Sequence, residues 1–143
     1  FKGAPRRGDY AAAKHAVIAL TKTAAGEHAQ DRIQINCLCP GPIDTALQHA
    51  SEVLVNPADP NYERRRFESA IPMGRYGSPE EVADLAAFLL SGAVPYLTGV
   101  AIPLDGALSQ SDESHRSNQR FCYLAMSAMR FSSATGWWES STS

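Results

Sequence analysis

The chain has 143 residues, 44% of them hydrophobic and 20% charged, with 15 acidic residues against 13 basic ones. That length suits one modest domain, and a net charge of -2 gives no electrostatic reason to expect nucleic acid or an anionic membrane as partner. No apolar run reaches the ~20 residues of a membrane span, and nothing near the N-terminus resembles a signal peptide.

A first residue of Phe1 rather than Met points to a start inside a longer reading frame or after processing. Phe1 to Asp9 reads as a loop. From Tyr10 to about Ala29 the chain is Ala-rich and free of proline, which predicts a helix, with Asp9 as its N-cap. Its many small residues suggest that the helix is buried. Ile33 to Cys39 alternates in part, with Ile33, Ile35, Cys37 and Cys39 on one face, and predicts a strand that Pro40-Gly41-Pro42 ends abruptly.

Ala46 to Pro72 carries Asn56-Pro57 and Asp59-Pro60 as loop signals, with a short helix predicted on either side. Ser78-Pro79-Glu80-Glu81 signposts the next helix: a cap residue, proline in the first turn, and a glutamate placed to complete a capping box. Val82, Leu85, Ala86 and Leu89 fall on one face of it, and Gly92 closes it. Thr98 to Leu104 predicts a second strand, and Asp105-Gly106 turns out of it.

Two strands separated by a helix indicate a parallel α/β unit with a right-handed crossover. Residues 108–143 change character. They are Ser-rich, with an apolar patch from Phe121 to Phe131 in which Phe121, Leu124, Ala128 and Phe131 suit one side of a short helix. The stretch reads as a poorly ordered appendage to a domain of residues 1–107.

Three cysteines, Cys37, Cys39 and Cys122, make a poor disulfide framework and favour a reducing, cytoplasmic compartment. No second Cys or His pair lies at ligand spacing from the C-x-C pair, so buried, inert thiols are expected and no metal site. His28, His49 and His115 have no partner pattern and read as surface residues. His15, beside Lys14 but on another helix face, reads as packing or solvent-facing. Arg64-Arg65-Arg66 reads as a solvated face.

Tyr10 and Lys14 are the candidates for chemistry, although taken alone most such pairs are a packed Tyr and a solvated Lys. Four residues apart on a helix, they lie on one face, one turn from each other. A phenol with a pKa of about 10 is a reluctant acid at neutral pH. An ammonium about 4 Å away attracts the phenolate by about 4 kcal/mol at an effective dielectric of about 20, enough to lower that pKa by up to about 3.

With Tyr10-Ala-Ala-Ala-Lys14, the stretch Ile33 to Thr45, Pro72-Met-Gly-Arg75, Ser78 to Val82, Thr98-Gly99 and Leu104-Asp105-Gly106, the chain resembles the short-chain dehydrogenase/reductase family. One departure is Ala107, where family members commonly have a second glycine. The resemblance implies the C-terminal part of a Rossmann-like, doubly wound parallel sheet: the last two of seven strands with their helices, without the N-terminal nucleotide-binding half. It implies a general acid/base role for Tyr10, and for Lys14 a depressed Tyr10 pKa and a hydrogen bond to the nicotinamide ribose. Pro40, Gly41, Ile43 and Thr45 would line an NAD or NADP cofactor, although on its own Pro40-Gly41-Pro42 is a plain strand terminator.

Ala46 to Ile71 takes the family's substrate-cover position. The implied substrate is a small carbonyl compound or alcohol, and the implied whole protein is a homo-oligomer. No two glycines stand at G-x-G spacing, so the phosphate-binding turn of a dinucleotide site is missing. The family's catalytic Ser and Asn lie upstream of residue 1. These 143 residues are therefore expected to be inactive alone, with a non-enzymatic oligomerisation module or a truncated gene product as the alternatives.

Overall fold

An Ala-rich stretch without internal proline can wind uninterrupted, and α1 does so for 20 residues, Gly8–Glu27. The computed structural model describes residues 8–111 and, for 126–131, the backbone. Asp9, expected as the N-cap, instead sits within the first turn, where its carboxylate still faces the positive end of the helix. Ile18, Thr21 and Ala25 form the buried stripe of α1, while Leu20 is 67% exposed. The helix is therefore a half-exposed cover rather than a buried one, because the described residues give it a packing partner on one side only.

The chain turns back at once: the Ile33 N–H donates to the carbonyl of His28, and β1 runs Ile33–Pro40. Seven of its eight residues are buried, on both faces, so the expected half-buried alternation is replaced by the pattern of a central strand. Ile18 packs on Cys37 and Cys39, with Val17 and Ala101 beside them. The polar residues of β1 are buried because they are bonded. Gln34 donates to the carbonyls of Val94 (2.8 Å) and Leu97 (3.0 Å). Asn36 donates to Leu97 at 2.9 Å and accepts from the Val100 N–H at 3.2 Å.

Two short helices follow, α2 (Ala46–Val55) and α3 (Pro60–Ala70), as the loop signals between them predict. The helix α4 spans Pro79–Ser91 with its capping box complete and Gly92 in the left-handed conformation at its end. Leu89 is buried and Val82, Leu85 and Ala86 half-buried, on the face read from the sequence. Strand β2 is Ala101–Leu104, shorter than expected. Thr98 and Gly99 are spent fastening the preceding turn to Ile35, through the Ile35 N–H to Thr98 Oγ1 at 3.1 Å and the Gly99 N–H to the Ile35 carbonyl at 2.8 Å.

The sheet order is β2-β1-β3. β1 and β2 run parallel, Cys37 opposite Ala101 through Pro40 opposite Leu104, as the crossover through α4 requires. The third strand, β3, is Met126–Phe131 and pairs antiparallel with β1 from Leu38 opposite Met126 to Ile33 opposite Phe131. A helix was expected to pass through this part of the tail. A six-residue pairing on a sheet edge outweighs weak local helix preference. Phe121, Leu124, His115 and Cys122 lie outside the described residues.

Candidate active site

Because α1 and β1 are antiparallel neighbours joined by a tight connection, the N-terminal end of α1 and the carboxyl end of β1 share one end of the sheet. Ile18 lies against Cys37 and Cys39. Tyr10 stands eight residues, about 12 Å of helix, further along, toward the loop that opens at Gly41. Lys14 Nζ lies 5.4 Å from the centroid of the Tyr10 ring, a cation–π contact. Both side chains are half-buried. The predicted pair is brought together, with the ammonium over the ring.

The loop is tightly held. Pro40 is fully buried. The Gly41 N–H donates to the Leu104 carbonyl at 2.9 Å, and a Cβ on Gly41 would lie 2.9 Å from Asp105 Cβ and 3.0 Å from its Cα. The glycine thus lets two strand ends touch, a packing demand beside the cofactor approach read from the sequence. Asp105 in turn fixes its own corner, accepting from the N–H groups of Ala107 (3.1 Å) and Ser109 (3.0 Å).

Ile43 forms a parallel bridge with Gly77. The bridge uses the Pro42 carbonyl (3.0 Å) and the Asp44 N–H (2.8 Å), which leaves Ile43's own N–H and carbonyl directed to the other side. Thr45 Oγ1 accepts from the Gln48 N–H at 3.2 Å and caps α2, so what its hydroxyl retains is one donor proton.

Over this loop sits a network that sequence reasoning missed. Arg64 donates to Asp44 (Nη2 to Oδ2, 2.9 Å) and to Glu68 (Nε to Oε1, 3.0 Å), with its guanidinium 4.9 Å from the Tyr76 ring centroid. His49 Nε2 meets Asp44 Oδ1. The Arg64 hydrogen bond above all, with His49 adding to it, holds the Asp44 carboxyl below the usual carboxylate range.

Tyr76 donates to Glu52 Oε1 at 2.6 Å, both residues being buried. Burial first, then Glu52, pushes the Tyr76 phenol up, so it stays a donor. His49 is therefore no isolated surface residue. In the arginine run, Arg65 is solvated as expected, in an exposed pair with Asp59 at 2.7 Å, while Arg64 and Arg66 are half-buried, Arg66 paired with Glu63 at 3.1 Å. Partners 20 and 24 residues apart, Asp44 with Arg64 and Glu52 with Tyr76, follow no local spacing rule. The signal present was the placement of Asp44 inside the family-like turn.

Cys37 and Cys39 are buried with their sulfurs 3.9 Å apart. Burial first, then Cys37 and Asp105, pushes the Cys39 thiol up to about 12, which keeps it protonated and unreactive at neutral pH. His15 Nδ1 lies 2.8 Å from the Ala11 carbonyl, within its own helix. Among the described residues no group of three potential ligands could hold a metal ion, and no helix is long and apolar enough to cross a membrane.

A family model described as enoyl-(acyl carrier protein) reductase matches residues 1–109. A short chain dehydrogenase family protein from Francisella tularensis superposes with a TM-score of 0.73 at 30% identity, over 78% of this chain and 47% of that one. The chain belongs to the short-chain dehydrogenase/reductase family.

Within it, levodione reductase of Leifsonia aquatica is 36% identical over 109 residues, 76% of this chain and 41% of the relative. The crystal structure of levodione reductase gives a TM-score of 0.70 over 75% of this chain and 41% of that one. The oxidoreductase UcpA of Escherichia coli K12 is 41% identical over 71% of this chain and 39% of its own length. The chain thus spans less than half the length of the curated relatives it matches. Nicotinamide cofactors belong to this family: a putative 2-deoxy-D-gluconate 3-dehydrogenase from Agrobacterium tumefaciens, 36% identical with a TM-score of 0.67 over 78% of this chain and 43% of that one, was solved with bound NADP.

The residues present fit part of such a cofactor. Lys14, the backbone groups of Ile43 turned away from the Gly77 bridge and the Thr45 O–H offer donors and an acceptor at one end of the sheet. The cleft beside them, lined by Pro42, Gly77, Leu104, Asp105 and Gly106 among others, measures about 60 Å³, room for water-sized molecules against the roughly 300–1,000 Å³ of a ligand pocket. That cleft does not enclose a dinucleotide, in line with the lack of a G-x-G turn in the sequence.

Proposed function

We propose that this chain carries the proton-transfer end of an NAD(P)-dependent short-chain oxidoreductase of the alcohol dehydrogenase or ketoreductase type. The observation that carries it is the pairing of Tyr10 and Lys14 on α1, at the sheet end where the Gly41–Thr45 loop begins. Tyr10 is the general acid/base: its O–H gives a proton to a carbonyl oxygen in reduction and takes one from an alcohol in oxidation. Lys14 favours the phenolate and holds the ribose. Pro40, Gly41, Ile43 and Thr45 flank the nicotinamide, which when bound supplies or accepts the hydride. The helices α2 and α3 cover the small carbonyl or alcohol substrate. The buried thiols suit a reducing, cytoplasmic setting.

By itself this stretch is inactive in this reading, since its sequence brings no phosphate-binding turn. The test is a graft. Residues 8–107 replace the matching part of levodione reductase, and levodione turnover is measured with and without Tyr10→Phe. A fall of about 100-fold or more, at unchanged cofactor affinity, is the expected result. Equal turnover by both grafts removes Tyr10 from the chemistry.

A second reading, a self-association module, is favoured by apolar side chains left outward: Leu20 on α1 at 67% exposure, Phe88 and Leu90 on α4 at 46% each. Sedimentation equilibrium showing concentration-dependent dimers that Leu20→Glu abolishes supports it, and a monomer at all concentrations ends it.

A further inference from the structure

The two edges of β1 are closed by different means. On one, four residues pair in parallel with β2 through the α4 crossover. On the other, six residues pair antiparallel with Met126–Phe131. This strand lies beyond residue 109, where the family match ends. Its direction follows from the path of the chain. β2 ends at Leu104 opposite Pro40, and β3 begins at Met126 opposite Leu38, so the chain leaves and re-enters the sheet at the same end. A strand entering there can only run antiparallel to β1. The two flanking strands are two spacings apart, about 10 Å, an easy reach for the residues between them.

The edge that β3 closes needs closing. Gln34 through Pro40 are all buried, and an uncovered row of N–H and C=O groups along such an apolar strand would template pairing with another chain. We propose that this observed pairing acts as a guard on the edge of β1. The strand occupies the hydrogen-bonding edge of β1, completes the sheet from within this chain, and excludes any other strand, from a second copy or from an upstream segment, while it is bound. Met126–Phe131, beyond the family match, is in this account a structural part of the fold.

The test uses the full chain and hydrogen exchange. Adjacent strand residues point their N–H groups to opposite sides, so the double variant Ser127→Pro, Ala128→Pro must remove one ladder donor and distort the pairing. Exchange in peptides covering Ile33–Asn36 is expected to rise about tenfold or more, with α3 peptides, which do not pack on β3, unchanged. Exchange of Ile33–Asn36 equal to that of the parent chain overturns the proposal. Should the double variant lose protection everywhere, a second variant decides. Ile33→Cys with Phe131→Cys places two thiols at directly paired positions, within disulfide reach for facing strand residues. Peptide mapping that finds this crosslink within single chains after oxidation supports the edge strand, and its absence overturns it.

Discussion

The Tyr10–Lys14 pair and the α2–α3 cover answer the demands of polar chemistry in opposite ways. In the cover, ionisable groups are spent on one another: Arg64 on Asp44 and Glu68, Tyr76 on Glu52, Arg65 on Asp59. The pair on α1 is half-buried, one turn apart, and joined through a ring face rather than a closed ion pair. A network that satisfies itself holds a shape. In the proposed reading, the Tyr10–Lys14 pair serves proton transfer instead. Under the proposed role of Tyr10, the difference separates a structural use of charge from a chemical one, and it can be tested residue by residue.

The largest effect belongs to the cover. Tyr76→Phe leaves a buried Glu52 oxygen without its phenolic donor and is expected to cost about 1–3 kcal/mol in urea unfolding. A loss below a few tenths would mean that the network is not what holds the cover. Next comes the corner joining cover to sheet, where Gly106 packs on Ile71 and Met73 and Ala107 is forced to φ +68°. A left-handed alanine costs roughly 1–2 kcal/mol. After the entropy that glycine adds to the unfolded chain, Ala107→Gly is expected to stabilise by about 0.5–1 kcal/mol.

A third effect is set by pH. The carboxyls of Asp44 and Glu81 both bind protons less readily folded than unfolded. Glu81 is lowered to about 2, chiefly by the Arg75 hydrogen bond and then by the Ser78 N–H, and Asp44 is lowered chiefly by Arg64. Protonation therefore favours unfolding. Their contribution is whole above the ordinary carboxyl pKa near ~4 and is lost as pH falls through the folded values. Thermal melts between pH 7 and 2 should show Tm falling below about pH 4, with a shallower fall in Arg64→Met and in Arg75→Met. Smallest is Tyr10→Phe, which keeps the ring under Lys14 and should move stability by no more than about 0.5 kcal/mol. A larger loss would make Tyr10 a structural residue like Tyr76 and erase the contrast.

What the sequence disclosed followed the range of the interaction. The capping box Ser78–Glu81, the left-handed Gly92 and the Tyr10–Lys14 turn are all set within four residues, and each is where the spacing put it. The cover network is tied together by two pairs 20 and 24 residues apart, Asp44 with Arg64 and Glu52 with Tyr76, which no local spacing announces, so its short-range pairs could only be read as surface. Gly41 was legible as special, but its contact with Asp105 comes from another strand's end. The strand at 126–131 was illegible for the same reason: its conformation is decided by an edge of β1 some ninety residues earlier.

The most direct measurement is fluorescence titration of the 143-residue chain with NADH and NADPH. The account, in which this stretch holds the proton-transfer end and no pyrophosphate cradle, predicts no saturable binding up to about 1 mM, the upper end of ordinary KM values. Saturation in the micromolar range would contradict it, because the chain would then hold a dinucleotide without the turn that the account requires.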